Sequence, residues 1–179
     1  MVKTIKHIRF YITENCNAKC NNCFNSSNRT NAEMTITNFS QLCAYFKYNG
    51  IKHLKIMGGE PTIHPYFLDF INIAQKNFDE ITIFTNAIND SISSINLREN
   101  DKIVYNFKFA KVINSKKLLV AQLGKRALEV QILKNLNVDV TKNNILRIFK
   151  LFPKIEVYLT LDCTINIFSE RDSVIPIYP

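Results

Sequence analysis

The chain has 179 residues, which is enough for one domain that buries a sizeable core. Hydrophobic residues make up 46% and aromatic residues 11% of the chain, which excludes a disordered protein. No apolar run reaches the ~20 residues that a membrane span needs, so we expect no membrane partner. The net charge of +8 would suit an anionic partner, but the lysines are scattered and form no basic helix, so nucleic-acid binding is not expected.

The N-terminal segment, MVKTIKHIRFYITENC, has a few basic residues but no long apolar stretch and no small-residue cleavage site. A secretory signal needs both features, so the sequence predicts an unprocessed, cytoplasmic protein. In a reducing compartment, clustered cysteines indicate metal binding or redox chemistry rather than a disulfide framework.

Runs of β-branched and aromatic residues predict strands that alternate with amphipathic helices. The strands are predicted over residues 6–13, 51–57, 80–86, 102–109, 129–140 and 155–162. The helices are predicted over residues 35–50, 64–77, 91–98, 115–128 and 141–152. The pattern leaves open whether residues 129–133 begin the fifth strand or end the preceding helix. This alternation predicts an α/β fold with six mainly parallel strands and right-handed crossovers.

The first helix has the most distinct pattern. Its apolar residues recur on one stripe that includes Cys43, so a core cysteine is favoured there over a metal ligand. Thr37 is a suitable N-cap for this helix, and Gly50 is a suitable C-cap. In the second helix, Pro65 fits the first turn.

The first two predicted strands are followed by residues that can bind metals or ligands. They lie at the carboxyl ends of the strands, where the binding and catalytic sites of parallel α/β folds are found. The first strand runs into "NCNAKCNNCF", which contains Cys16, Cys20 and Cys23. This spacing lets three soft thiolates converge on an iron–sulfur cluster and leaves its fourth iron open to a ligand. The alternative is a structural zinc site that Cys163 or His64 completes.

The second strand runs into "GGEP". Gly58 and Gly59 allow the backbone to approach a ligand closely, and the carboxylate of Glu60 is suited to receive a ligand ammonium. Pro61 fixes the turn that follows. The alternative is a simple strand-to-helix turn without a ligand.

The segments "ITENCNAKCNNCF", "GGEP" and "FTNA", in this order, together resemble the radical S-adenosylmethionine (radical SAM) family, and in particular its peptide- and cofactor-modifying members. The resemblance covers roughly residues 6–165 and implies a partial (βα)6 barrel, which is an open TIM-like fold. It implies that S-adenosylmethionine chelates the open iron of a [4Fe–4S] cluster through its amino and carboxylate groups. The implied cluster ligands are Cys16, Cys20 and Cys23.

The resemblance also implies cofactor-binding residues after the second and third strands. These are Gly58, Gly59 and Glu60, which would face the methionine end, and Thr85 and Asn86, which match the start of a Thr-Asn-Gly turn. The chain departs from its relatives at Ala87, where Gly is usual, and at Asn22, where an aromatic residue is usual. Relatives often carry Ser and Asp on the fourth strand, whereas Asn106 and Lys108 stand here, so no role is transferred to them.

The implied activity is that of a radical SAM enzyme. Such an enzyme reductively cleaves S-adenosylmethionine to a 5′-deoxyadenosyl radical, which abstracts a hydrogen atom from a substrate that the sequence does not identify. A peptide is the first candidate substrate, and an electron donor such as flavodoxin or ferredoxin is implied. Two alternatives stay open, a non-catalytic zinc or iron–sulfur binding module and a truncated radical SAM protein without its substrate domain. We expect one domain over residues 1–165 and a short extension over residues 166–179.

Overall fold

A parallel β-sheet forms the centre of the fold. The structure, a computed structural model, describes residues 5–20, 23, 30–106, 126–133, 146 and 156–162. The strands are β1 (His7–Tyr11), β2 (His53–Met57), β3 (Glu80–Thr85), β4 (Lys102–Asn106), β5 (Arg126–Leu133) and β6 (Glu156–Asp162). Each strand pairs in parallel with the next, so the order across the sheet is the order along the chain. The predicted α/β fold with a parallel sheet is confirmed.

Two α-helices, α1 (Ile36–Tyr48) and α2 (Phe67–Asn77), connect the first three strands. Both contribute to one apolar core with the sheet, in which Phe39 of α1 stacks on Phe70 of α2 with ring centroids 4.4 Å apart. Cys43 is fully buried in this core, as predicted, and burial raises the pKa of its thiol to about 12. Within the described residues, no helix combines the length and apolar character that crossing a bilayer requires.

The structure corrects both ends of α1. The N-cap is Thr35 rather than Thr37, because Thr35 keeps an extended backbone and its hydroxyl accepts a hydrogen bond from the N–H of Asn38. The C-cap is Asn49 rather than Gly50. Gly50 follows it with a φ of +77°, and the N–H groups of Gly50 and the next residue donate to carbonyls of the last helical turn. This is the Schellman ending, in which glycine takes the left-handed position just beyond the cap.

Three other predicted boundaries were wrong. Pro65 lies before α2 rather than in its first turn, because a 3-10 turn occupies the residues that follow β2. The region predicted as a helix over residues 91–98 forms only a short 3-10 turn, Asp90–Ser94. Residues 129–133, which the sequence left open between strand and helix, belong to a strand, and β5 begins at Arg126 rather than at Glu129 because Arg126 already pairs with β4. The structure does not describe the predicted elements over residues 107–109, 115–125 and 134–140, and of residues 141–152 it describes Leu146 alone, which is helical.

Asp101, just before β4, joins three parts of the fold through its fully buried carboxylate. The carboxylate accepts hydrogen bonds from the Arg98 guanidinium at 2.9 Å, from the side chain of Gln75 at 2.8 Å and from the N–H of Ile81 at 3.1 Å. Burial by itself would raise the pKa of Asp101, but these hydrogen bonds outweigh it and hold the pKa below its ordinary value.

Replacing Asp101 by Asn is expected to lower the free energy of unfolding at neutral pH by about 1–3 kcal/mol, because Arg98 and buried donors lose an anionic acceptor. The folded carboxyl has the lower pKa, so its contribution is present above the ordinary value of 3.8 and is lost as pH falls through the folded value. Urea unfolding of wild type and Asp101→Asn at several pH values measures this difference. A difference in stability that stays constant down to about pH 2.5 would contradict this role.

Candidate functional site

The segments that leave β1, β2 and β3 meet at the carboxyl-terminal edge of the sheet. They comprise residues 12–20, 58–61 and 86–89, and hydrogen bonds join each of them to another. The cysteine motif, the Gly-Gly-Glu-Pro turn and the Thr-Asn segment, which are separate in the sequence, therefore lie together in the fold.

Gly58 and Gly59 let the end of β2 lie against the backbone that leaves β1. The N–H of Gly59 donates to the carbonyl oxygen of Thr13 at 2.8 Å. A Cβ atom on Gly58 would stand 2.6 Å from the same oxygen, and a Cβ atom on Gly59 would stand 2.5 Å from the carbonyl oxygen of Glu14. These neighbours are backbone atoms, which cannot swing aside. Both glycines are therefore required for the contact between these two segments of the chain. This reason is independent of the close approach of a ligand that the sequence predicted.

The Glu60 carboxylate joins the ends of β2 and β3. It is 1% exposed and accepts four hydrogen bonds. Its Oε1 atom accepts from the N–H of Thr62 at 3.1 Å, from the hydroxyl of Thr62 at 2.6 Å and from the hydroxyl of Thr85 at 2.7 Å. Its Oε2 atom accepts from the N–H of Asn86 at 2.7 Å. Three of the predicted cofactor-binding residues are therefore linked through one buried anion.

Asn86 connects this carboxylate to the cysteine segment. Its side-chain Oδ1 accepts from the N–H of Ile88 at 2.9 Å, and its Nδ2 donates to the side chain of Asn17 at 2.9 Å. The same Nδ2 lies 4.0 Å from the Sγ of Cys16, at the outer limit of a hydrogen bond to sulfur. The next residue, Ala87, has a φ of +57°. Glycine adopts this left-handed conformation without strain, which explains why glycine is usual there in the resembling family.

The segment that carries the cysteines is closed at its base. Thr13 forms an antiparallel bridge with Glu33, and the side chain of Asn15 donates to Glu33 at 2.9 Å. The Glu14 carboxylate accepts from the hydroxyl of Thr30 at 2.7 Å and from its N–H at 2.6 Å, and these bonds lower the pKa of Glu14. The chain itself therefore holds the two ends of the segment together.

Cys16, Cys20 and Cys23 form no disulfide, and each is partly exposed. The N–H of Cys23 donates to the carbonyl of Cys20 at 3.3 Å, which turns the chain between these two residues. Across the described ranges, no group of three or more His, Cys, Asp or Glu side chains is arranged to hold a metal ion. Their chemistry fits an iron–sulfur cluster, because three soft sulfur donors stand on one short segment without a disulfide between them.

His64, the described candidate for a fourth zinc ligand, lies between the 3-10 turn and α2, three residues before the first residue of the helix, rather than at the helix start that the sequence predicted. It is 4% exposed, its Nδ1 accepts from the N–H of Tyr66 at 3.1 Å, and its ring lies 4.7 Å from that of Phe70. Burial lowers the pKa of its imidazole. Cys163, Asn22 and Phe24 lie outside the described residues.

Three residues that hold this site together were not predicted from the sequence. Thr62 supplies two of the hydrogen bonds to Glu60, Asn17 accepts from Asn86, and Thr13 accepts from Gly59. Thr62 lies only two residues after Glu60, and this short spacing was the available signal for it. The contacts of Asn17 and Thr13 depend on tertiary structure, and no local sequence pattern predicts them.

The family model for the radical SAM superfamily matches residues 10–161. Among curated proteins, the chain is 27% identical over 89 residues to a GTP 3′,8-cyclase of Chlorobaculum tepidum, which is 48% of this chain and 27% of that protein. It is 30% identical over 82 residues to the antilisterial bacteriocin subtilosin biosynthesis protein AlbA of Bacillus subtilis, which is 45% of this chain and 18% of that protein. These matches cover less than a third of either relative.

Solved structures show the same fold. SuiB of Streptococcus suis bound to S-adenosylmethionine superposes with a TM-score of 0.70 at 15% identity, over 91% of this chain and 42% of SuiB. The enzyme anSMEcpe with bound AdoMet and a peptide superposes with a TM-score of 0.64 at 15% identity, over 87% of this chain and 51% of that one. The family match spans β1 to β6 and includes all three motifs that meet at the sheet edge. The chain therefore belongs to the radical SAM superfamily, and family membership confirms the two predicted cofactors, a [4Fe–4S] cluster and S-adenosylmethionine.

Proposed function

We propose that this chain is a radical SAM enzyme whose cluster is held by Cys16, Cys20 and Cys23. When bound, the two cofactors supply one-electron cleavage of S-adenosylmethionine to a 5′-deoxyadenosyl radical, which takes a hydrogen atom from the substrate. The observation that carries the proposal is the meeting of the cysteine segment with the two other family motifs at one sheet edge. One of these curated relatives is a cyclase by name and the other a biosynthesis protein, which supports turnover rather than binding alone.

We further propose that Gly58, Gly59, Glu60, Thr85 and Asn86 form the cofactor-binding side of this site. The Glu60 side chain acts there mainly by position, because its oxygens already accept four hydrogen bonds from the chain. A direct bond from Glu60 to the cofactor's amino group, as the sequence predicted, would have to share these oxygens. Glu60 fixes the position of Asn86, whose side chain also accepts a hydrogen bond from the N–H of Ile88. Asn86 in turn positions Cys16, because its Nδ2 lies beside the Sγ of that residue.

The finer architecture is also a proposal. The parallel order β1 to β6 and the superposition on SuiB support a partial (βα)6 barrel over residues 1–165, with residues 166–179 as an extension. The electron donor would be a flavodoxin or a ferredoxin, and the reducing cytoplasm that suits free thiols is the expected location.

A peptide is the proposed substrate. AlbA is named for bacteriocin biosynthesis, SuiB has a structure with its precursor peptide SuiA, and anSMEcpe was solved with a peptide. The match to GTP 3′,8-cyclases makes a nucleotide the second candidate. A zinc or iron–sulfur module without turnover is the competing function. Metal content separates the zinc module from an enzyme, and release of 5′-deoxyadenosine separates the iron–sulfur module from one.

The proposed function is tested by anaerobic reconstitution with iron and sulfide. Wild type is expected to bind about four iron atoms per chain, and the triple Cys16, Cys20 and Cys23→Ala variant nearly none. Reduced wild type should release 5′-deoxyadenosine from S-adenosylmethionine. Cys43→Ala is the matched control, because that buried thiol lies in the apolar core, and its iron content should equal that of wild type. Unchanged iron in the triple variant, or a colourless protein with stoichiometric zinc, would overturn the proposal.

A further inference from the structure

A row of positive charges crosses the face of the sheet opposite α1 and α2. Leu54 and Ile56 are fully buried in the core with the helices, so Lys55 between them projects from the other face. Lys55 is the register partner of Arg9 on β1 and of Thr82 on β3, and Thr82 is in turn the partner of Lys102 on β4. We call Arg9, Lys55 and Lys102 the cationic row. At about 4.8 Å between strands, the row spans roughly 14 Å.

Within the described residues, the ion pairs do not include the cationic row. In the part of the protein that the structure describes, none of the three side chains forms an ion pair or a hydrogen bond. The carboxylate that acts on Lys55 is that of Glu80, whose Oε1 lies 3.4 Å from the Nε2 of His53 instead. His7 and His53 lie beside the row, and the centroids of their rings are 5.8 Å apart.

This arrangement is unfavourable for the sheet itself. Like charges directly opposite each other on neighbouring strands destabilise a sheet, and Arg9 and Lys55 are such a pair. Lys55 is also partly buried, and this burial together with the charge of Arg9 lowers the pKa of its ammonium. A bound anion would reduce both the repulsion between Arg9 and Lys55 and the cost of burying the Lys55 ammonium.

We propose that the cationic row binds an anionic group of the substrate, either a phosphate or a carboxylate. The assignment rests on the proposed function, because it names the chemistry of the substrate for that site. Lys55 precedes Gly58 by three residues and Arg9 precedes Thr13 by four, so at about 3.3 Å per residue the row lies roughly 10–13 Å from the sheet edge. An extended substrate reaches both places, with its anionic group on the row and its reacting part at the edge.

Inorganic phosphate and glutarate, titrated separately into the cluster-free chain at constant ionic strength, test the proposal by calorimetry. At least one of them is expected to bind saturably, and the preferred anion identifies phosphate or carboxylate as the recognised group. Lys55→Gln should weaken that binding about ten-fold, because one charge-assisted contact is lost. Lys76→Gln, which removes the same charge from the exposed end of α2, should bind as wild type does.

Thermal unfolding without added anion gives a second readout that does not depend on a ligand. At low salt Lys55→Gln should be at least as stable as wild type, because the repulsion from Arg9 is removed. Equal, non-saturable responses of wild type and Lys55→Gln to both anions would overturn the proposal, as would a Lys55→Gln variant that unfolds more readily than wild type. Both measurements use protein without a cluster, so failure here leaves the iron analysis of the proposed function unaffected, and the reverse also holds.

Discussion

Replacing Glu60 by Ala is expected to lower the free energy of unfolding by about 3–5 kcal/mol, one of the two largest effects that the structure predicts. The change leaves buried donors of Thr62, Thr85 and Asn86 without an acceptor. It also removes the link between the ends of β2 and β3. Denaturant unfolding measures the loss, and Glu33→Ala is the control, because Glu33 is exposed and accepts a side-chain hydrogen bond from Asn15.

Glu60→Gln distinguishes a positioning role from direct contact with the cofactor. In Glu60→Gln the side-chain NH2 group faces another N–H donor in place of a carboxylate oxygen. We therefore expect an intermediate loss of about 1–3 kcal/mol in the free energy of unfolding. Under the positioning role, the affinity of the reconstituted protein for S-adenosylmethionine falls in step with stability across the two variants. If Glu60→Gln were as stable as wild type yet bound S-adenosylmethionine ten-fold less tightly, direct contact would be correct and the positioning role wrong.

Gly59→Ala is expected to have the second large effect, a loss of about 3 kcal/mol or more in the free energy of unfolding. The new Cβ would overlap the carbonyl oxygens of Glu14 and Asn15, and these atoms belong to the backbone that leads into the cysteine segment. Relief requires the two segments to separate, which breaks the hydrogen bond from Gly59 to Thr13. Iron binding should therefore fall together with stability.

Gly50→Ala is the matched control for this steric argument. Gly50 also adopts a left-handed backbone conformation, with a φ of +77°, but a Cβ atom there would have no neighbour within 4 Å. Its substitution should cost only about 1–2 kcal/mol, the penalty of the left-handed conformation, and should leave iron binding unchanged. Equal losses for the two alanine variants would show that the contact with the cysteine segment is unimportant.

The order of the strands and of α1 and α2 was predictable from the sequence because each of these elements has its own hydrophobic period, whereas the helix predicted over residues 91–98 is a 3-10 turn. Alternation in "KHIRFYIT" and the stripe through Phe39 and Cys43 reflect burial on one face, which depends on local spacing. The N-terminal end of α1 was less predictable, because threonine suits an N-cap at position 35 as well as at position 37. The extended backbone of Thr35 and its hydrogen bond from the N–H of Asn38 decide between the two. The start of β5 at Arg126 likewise depends on its pairing with β4, which local pattern does not reveal.

The candidate site was predictable as a set of motifs but not as a set of contacts. The resemblance indicated that Cys16, Glu60 and Asn86 belong together, and the fold does bring their segments to one edge. The sequence predicted that the Glu60 carboxylate contacts a ligand, whereas in the structure it accepts hydrogen bonds from hydroxyl and backbone donors of the chain. Such satisfaction of a buried charge depends on residues that approach only after folding, so spacing along the chain cannot reveal it.

The site is built from segments that lie far apart along the chain, since Asn86 and Cys16 are separated by 70 residues and Asn86 and Glu60 by 26. Such a site exists only while the first three strands are folded together. By mass action, a ligand that binds only this assembled state adds about 2.7 kcal/mol to its stability at one hundred times the dissociation constant. Occupancy of the site and survival of the protein in the cell are thereby coupled, because a chain without its cofactors spends more time unfolded and within reach of proteases.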